Sequence, residues 1–162
     1  MPRSASFDFR EGYQQVAGTL DEEAQALLAS ARGRRSPART RSLMAIVLAY
    51  RQGPREVWGP VLLEVLAPSL LARLRRLRTE PPVVDDEDIR QQLVMEVLRA
   101  AARMPLPREP SYLRSRLMAR ANVAVRRWLQ REYRRQARQE SFEVRGDQRT
   151  GRKSMTSDME SD

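Results

Sequence analysis

PSYLRSRLMARANVAVRRWLQREYRRQAR, residues 110–138, is the stretch that decides the fold. Apolar side chains recur through it at helical spacing: Leu113, Leu117, Ala121, Val125 with Ala124, then Trp128 and Leu129. Steps of three and four residues put these on one side of an α-helix, so one face of a long helix must be buried. The rest of its surface is loaded with arginine. Over residues 104–138 ten arginines stand against two acids, Glu109 and Glu132. Solvated helix faces ordinarily mix both signs. An imbalance of this size points to a counter-ligand, and the natural ones are a phosphate backbone or an acidic protein surface. Arg114, Arg116, Arg120, Arg126, Arg127, Arg131 and Arg134 are the candidate contacts, and Tyr112 could stack on an unpaired base. Trp128 falls on the apolar stripe and is assigned to the core.

The whole chain, 162 residues with a formal net charge of +9, carries the same bias. Its basic charge is arginine apart from Lys153, and the planar guanidinium fork suits bidentate phosphate contact. There is no cysteine and no histidine. This removes disulfides, thiolate chemistry, the commonest general base and the commonest transition-metal ligand. The acids Asp85, Asp86, Glu87 and Asp88 are consecutive, so they lie around a helix axis rather than converging. Helix capping accounts for them better than a metal does. The glycines are scattered and form no phosphate-cradling loop. No catalytic residue, cofactor or metal is assigned, and an enzyme is not expected. The opening MPRSASFDFREG lacks the apolar core of a secretory signal. The longest uninterrupted apolar run, residues 43–50, falls well short of the roughly 20 needed to span a bilayer. A cytoplasmic, nucleoid-associated protein is expected.

Alternating β-branched runs are absent while helix starts and stops are frequent, so the expected class is all-α: a compact bundle of about five helices. Residues 1–18 have no sustained period and read as a loose arm. Thr19 with Glu22 fits a capping box opening a helix from about Leu20 to Arg32, stopped at Gly33. Ser36-Pro37 starts a second helix that reaches about Arg51 and ends at Gly53, burying Leu43, Ile46, Val47 and Tyr50. Residues 19–53 thus hold two helices. Pro54 or Pro60 opens the next, to about Arg78, with Pro68 expected to kink or split it. Asp85 or Asp86 caps a helix to about Met104, with Ile89, Leu93, Val97, Ala100 and Met104 as its stripe. Pro105, Pro107 and Pro110 forbid helix in the following loop, and Ser111 is read as the cap of the last helix, which frays after Tyr133. Residues 139–162 are polar and are expected to be a disordered tail.

The order of segments over residues 54–138 carries a family likeness. VWGPVLLEVLAPSLLARLRRL (57–77), DDEDIRQQLVMEVLRA (85–100), a short proline loop and PSYLRSRLMARANVAVRRWLQRE (110–132) together resemble region 2 of bacterial RNA polymerase sigma factors, extracytoplasmic-function type. The likeness covers residues 55–135. Asp88-Ile89-x-Gln91 resembles the "D-L-x-Q-E" helix start that docks on the β′ clamp helices of core polymerase. By that likeness Asp88, Gln91, Gln92, Met95 and Glu96 face the polymerase. ARANVAV (119–125) resembles the family's "A-R-N-L-A-I" in the segment that reads the −10 element and grips the melted strand. It implies that Asn122, Arg126 and Arg127 face nucleic acid, and that residues 104–111 lie where the family pockets a flipped-out base.

Gln92 stands where the family usually has an acid, and the last helix carries about one extra turn before Asn122. No helix-turn-helix of the kind that reads the −35 element is legible after Arg138, so a separate protein supplying that contact, or an anti-sigma factor, is an implied partner beside core polymerase and promoter DNA. The rival reading is a basic helical module that binds DNA or RNA through its backbone without polymerase. A third is a protein-interaction scaffold using residues 43–50 and 62–77.

Overall fold

The computed structural model describes residues 9–77 and 84–154. Six α-helices and one 3-10 turn occur there, with no strand among the described residues. The helices are α1 (Phe9–Ala17), α2 (Glu22–Arg32), α3 (Pro37–Gln52), α4 (Arg55–Leu77), α5 (Asp86–Arg103) and α6 (Leu113–Ser154), and the 3-10 turn is Pro110–Tyr112. The fold is all-α, as expected. The chain divides into two compact units, Met1–Arg126 and Arg127–Asp162. The first contains the bundle and the opening turns of α6.

Local chemistry sets most of the boundaries. The Ser36 hydroxyl accepts from the Arg39 N–H at 3.2 Å, and Pro37 follows at a position where its missing N–H costs nothing. Asp85 does the same for α5, accepting from Glu87 N at 3.2 Å. Gly53 closes α3 through its N–H to the Ala49 carbonyl at 2.7 Å. A β-carbon there would stand 2.9 Å from that same carbonyl oxygen and 3.2 Å from the Trp58 ring, so glycine is required by crowding.

α3 and α4 are the middle of the bundle. α3 contacts α2, α4, α5 and the 3-10 turn, and α4 contacts α1, α2, α3 and α5. Leu43, Ile46 and Val47 of α3 meet the interior with Val61, Leu62, Leu66 and Leu70 of α4 and Ile89, Leu93 and Val97 of α5, all essentially without solvent contact. Each such side chain contributes about 1.5–3 kcal/mol from burial. Arg51 links α3 to the end of α5: its Nε–H donates to the Ala101 carbonyl at 2.6 Å, and Nη2 donates to the Met104 carbonyl. Those carbonyls have no partner within their own helix, and a cation at a helix C-terminus also meets the negative end of the macrodipole.

Several expectations are corrected. Residues 9–17 are helix rather than loose arm, because α1 packs on α4, with Gly12 against Pro60, and Tyr13 lies under the Arg32 guanidinium at 4.8 Å. Thr19 does not cap α2. Its hydroxyl donates to the Val16 carbonyl, and Asp21 is the cap, accepting from Ala24 N at 2.8 Å. Of the two outcomes expected at Pro68, a kink or a split, the split does not occur: α4 runs as one helix through Pro60 and Pro68. Burial of its apolar residues on both sides of Pro68 offsets the lost backbone bonds. α4 is also long and apolar enough to cross a membrane by length and composition, which counting only uninterrupted runs concealed. Ser111 lies inside the 3-10 turn that precedes α6, two residues before that helix begins. α6 continues to Ser154, past Tyr133 and through residues 139–154, where no proline intervenes. Residues 155–162 lie outside the described residues.

Candidate nucleic-acid interface

Within the first unit, α6 presents two chemically opposite faces. Leu113, Leu117, Ala121 and Val125 are fully buried and Met118 nearly so, which is the apolar stripe expected from spacing. Arg116, Arg120 and Arg126 are exposed. Among the described residues none of the three has an ion pair with a carboxylate. Arg116 and Arg120 are one helical turn apart and share a face. Tyr112, 60 % exposed, stands at the start of α6 beside the proline loop. In the second unit Arg127, Arg131 and Arg134 are exposed, and their spacing with Arg138 (i, i+4, i+7, i+11) makes one stripe. Trp128 is half-buried and Leu129 buried.

Two residues assigned to the outward face are not on it. Arg114 precedes Leu117 by three residues and Met118 by four, so it belongs to the buried side of α6. Its Nη1 donates to the Val65 carbonyl and to Ser69 Oγ of α4, both at 3.3 Å, and its Nη2 is buried without a partner. Burial, with repulsion from Arg39 and then Arg35, lowers its pKa from the ordinary guanidinium value to about 10, so it stays charged at neutral pH. Asn122 is half-buried with its Oδ1 enclosed and unpartnered, so it does not present that oxygen to a ligand outside.

The second predicted surface lies on α5. Asp88, Gln91 and Met95 recur at i, i+3 and i+7 and are exposed, Met95 at 52 %. Gln92 is half-buried beside them and donates to Glu96 Oε1 at 3.0 Å. Glu96 departs from the expected set: it is 8 % exposed, and Oε1 also receives Arg99 at 2.8 Å. Its carboxylate is therefore engaged within the chain, which fixes Gln92 and Arg99 rather than offering a free charge.

Arg35 and Arg39, far in sequence from the arginine-rich stretch, join Arg114 at a separate cleft. Their convergence needs three distant segments, the start of α3, the middle of α4 and the 3-10 turn, so no local motif announces it. No protein-family model, no curated protein and no solved structure matches this chain.

Proposed function

We propose that this chain is a sigma-factor-like transcription initiation protein. It binds core RNA polymerase through the Asp88–Gln91–Met95 face of α5, and the −10 promoter element and melted strand through the arginines of α6. The single observation that carries the reading is the division of α6 in the first unit: its apolar stripe is buried while Arg116, Arg120 and Arg126 stand exposed and unpaired with carboxylates among the described residues. An arginine already paired must give up its carboxylate to bind phosphate, whereas these have none to displace among the described residues. The exposed Asp88 carboxylate and Gln91 amide at the start of α5 supply the opposite chemistry, suited to a basic protein surface. The mechanism is recognition and strand capture, without bond chemistry.

The test is co-purification of the full chain with core polymerase, followed by opening of a promoter duplex. Asp88→Arg and Gln91→Ala are expected to abolish polymerase binding and leave the protein folded. Core polymerase that passes through without retaining the protein refutes the reading.

A second reading, a backbone-binding module acting without polymerase, is favoured by the inward placement of Asn122 and Glu96, since both remove groups the family likeness assigns to specific contacts. It predicts binding to random duplex as tight as to promoter DNA, with a salt slope of about 0.9 per phosphate neutralised.

A further inference from the structure

A cleft of about 1040 Å³ opens between the start of α3, the middle of α4 and the 3-10 turn. Four arginines line it, Arg35, Arg39, Arg41 and Arg114, against one acid, Glu109. Two of them are anchored by a single nitrogen: Arg39 Nε donates to the Ala31 carbonyl at 3.1 Å, and Arg41 Nε to the Pro37 carbonyl at 3.4 Å. Anchoring at Nε fixes each stem and leaves the terminal nitrogens to reach a ligand. Arg35 is exposed and forms no hydrogen bond or ion pair with any described residue. Arg114 is held on the wall by Val65 and Ser69, with Nη2 enclosed, so it acts through its field more than by contact.

Like charges gathered at a half-buried place cost free energy unless something neutralises them. Among the described residues no carboxylate forms an ion pair with any of the four, and Glu109 is the single acid on the lining. The cleft therefore holds an excess positive charge that an anion would relieve, and the guanidinium groups of Arg35, just ahead of α3, and Arg39, in its first turn, can share the oxygens of one phosphate chain. Apolar surface predominates on the remaining wall, from residues such as Pro68, Ala72 and Pro110, with hydroxyls such as those of Ser69 and Ser115 set among it. The volume is that of a small-molecule site and far exceeds one phosphate, so the occupant carries an organic body. The cleft is also distinct from the outward arginines of α6, because Arg114 projects from the buried side of that helix, away from Arg116 and Arg120.

We propose that this cleft binds a small organic diphosphate of the nucleoside diphosphate kind, its phosphates on Arg35 and Arg39 within the field of Arg114 and its organic body against the apolar wall. The inference does not depend on the proposed function: it concerns the free protein, with neither polymerase nor nucleic acid present.

The experiment is calorimetric titration of the full chain with ADP, pyrophosphate and adenosine at near-physiological salt. ADP is expected to bind at one site per chain, pyrophosphate about tenfold more weakly and adenosine not measurably. Arg35→Gln with Arg39→Gln is expected to weaken ADP binding by about tenfold or more. Arg75→Gln with Arg76→Gln, the same charge change at the end of α4, is expected to leave it unaltered. Because Arg39 also anchors the end of α2, Arg35→Gln alone is the second variant, with an expected loss of about three- to tenfold and an unchanged melting temperature. Absence of saturable ADP binding up to about 5 mM overturns the proposal. So does equal weakening by the Arg75/Arg76 pair, or full ADP affinity in Arg35→Gln.

Discussion

Replacing both Arg116 and Arg120 by glutamine tests the outward face of α6 quantitatively. Both are exposed and make no ion pair among the described residues, so the double variant should lose no more than about 0.5 kcal/mol of stability. Its effect on nucleic-acid binding should be large and should depend on salt. Each arginine that neutralises a duplex phosphate contributes about 0.9 to the slope of log K against log salt, so removing two lowers the slope by about 1.8. Scaling from 1 M salt, where that contribution vanishes, each contact amounts to about 0.7 log units at 0.15 M and about 1.2 at 0.05 M. The double variant should therefore bind a promoter duplex about 30-fold more weakly at 0.15 M and about 200-fold more weakly at 0.05 M. Fluorescence anisotropy across a salt series measures both numbers. The Arg75→Gln, Arg76→Gln pair carries the same charge change and should alter the slope by less than about 0.5. Equal losses in the two pairs would show that only net charge matters, and an unchanged slope in the Arg116/Arg120 variant would refute the assignment of this face.

Other outcomes follow from contacts inside the bundle. Arg51→Met removes two charged hydrogen bonds from the end of α5, so unfolding free energy should fall by about 2–3 kcal/mol, read as a lower denaturant midpoint with unchanged slope. Gly53→Ala places a β-carbon 2.9 Å from the Ala49 carbonyl oxygen and should cost about 1–2 kcal/mol in the same assay. Arg114 has a folded pKa of about 10, below the ordinary guanidinium value it has in the unfolded chain, so the unfolded chain binds more protons between the two. Its charge opposes folding throughout the range below pH 10, and that penalty fades as pH rises through 10. The stability of the natural protein relative to Arg114→Met should therefore increase from pH 8.5 to 10.5, and a gap that stays constant or shrinks contradicts the burial-and-repulsion account.

Much of the bundle was legible because its boundaries rest on local chemistry. Ser36-Pro37, Gly53 and Asp85 each act within a few residues of themselves, and they mark helix ends where spacing put them. The core stripes of α3 and α5 followed from period alone. α1 does carry a short stripe, Phe9, Tyr13, Val16 and Ala17 at helical spacing, but it spans only nine residues, and the helix is held by contacts with distant α4 and with Arg32. Thr19 lost the cap of α2 to Asp21 because two candidate caps stood two residues apart and only the three-dimensional turn chooses between them. Arg114 shows that charge alone does not put a residue outward: its spacing to Leu117 and Met118 sets it on the buried side of α6. Asn122 and Glu96 show the limit of reading sites by likeness, since whether a polar atom faces outward depends on neighbours that a motif does not encode.

The most direct measurement places a photo-crosslinking amino acid at Arg120 of α6 and, separately, at Gln25, an exposed position of α2, and irradiates each protein with promoter DNA. Strong crosslinks from position 120 and few from position 25 are predicted. Equal yields from both positions, or none from 120, would contradict the claim that α6 turns its guanidinium face to nucleic acid.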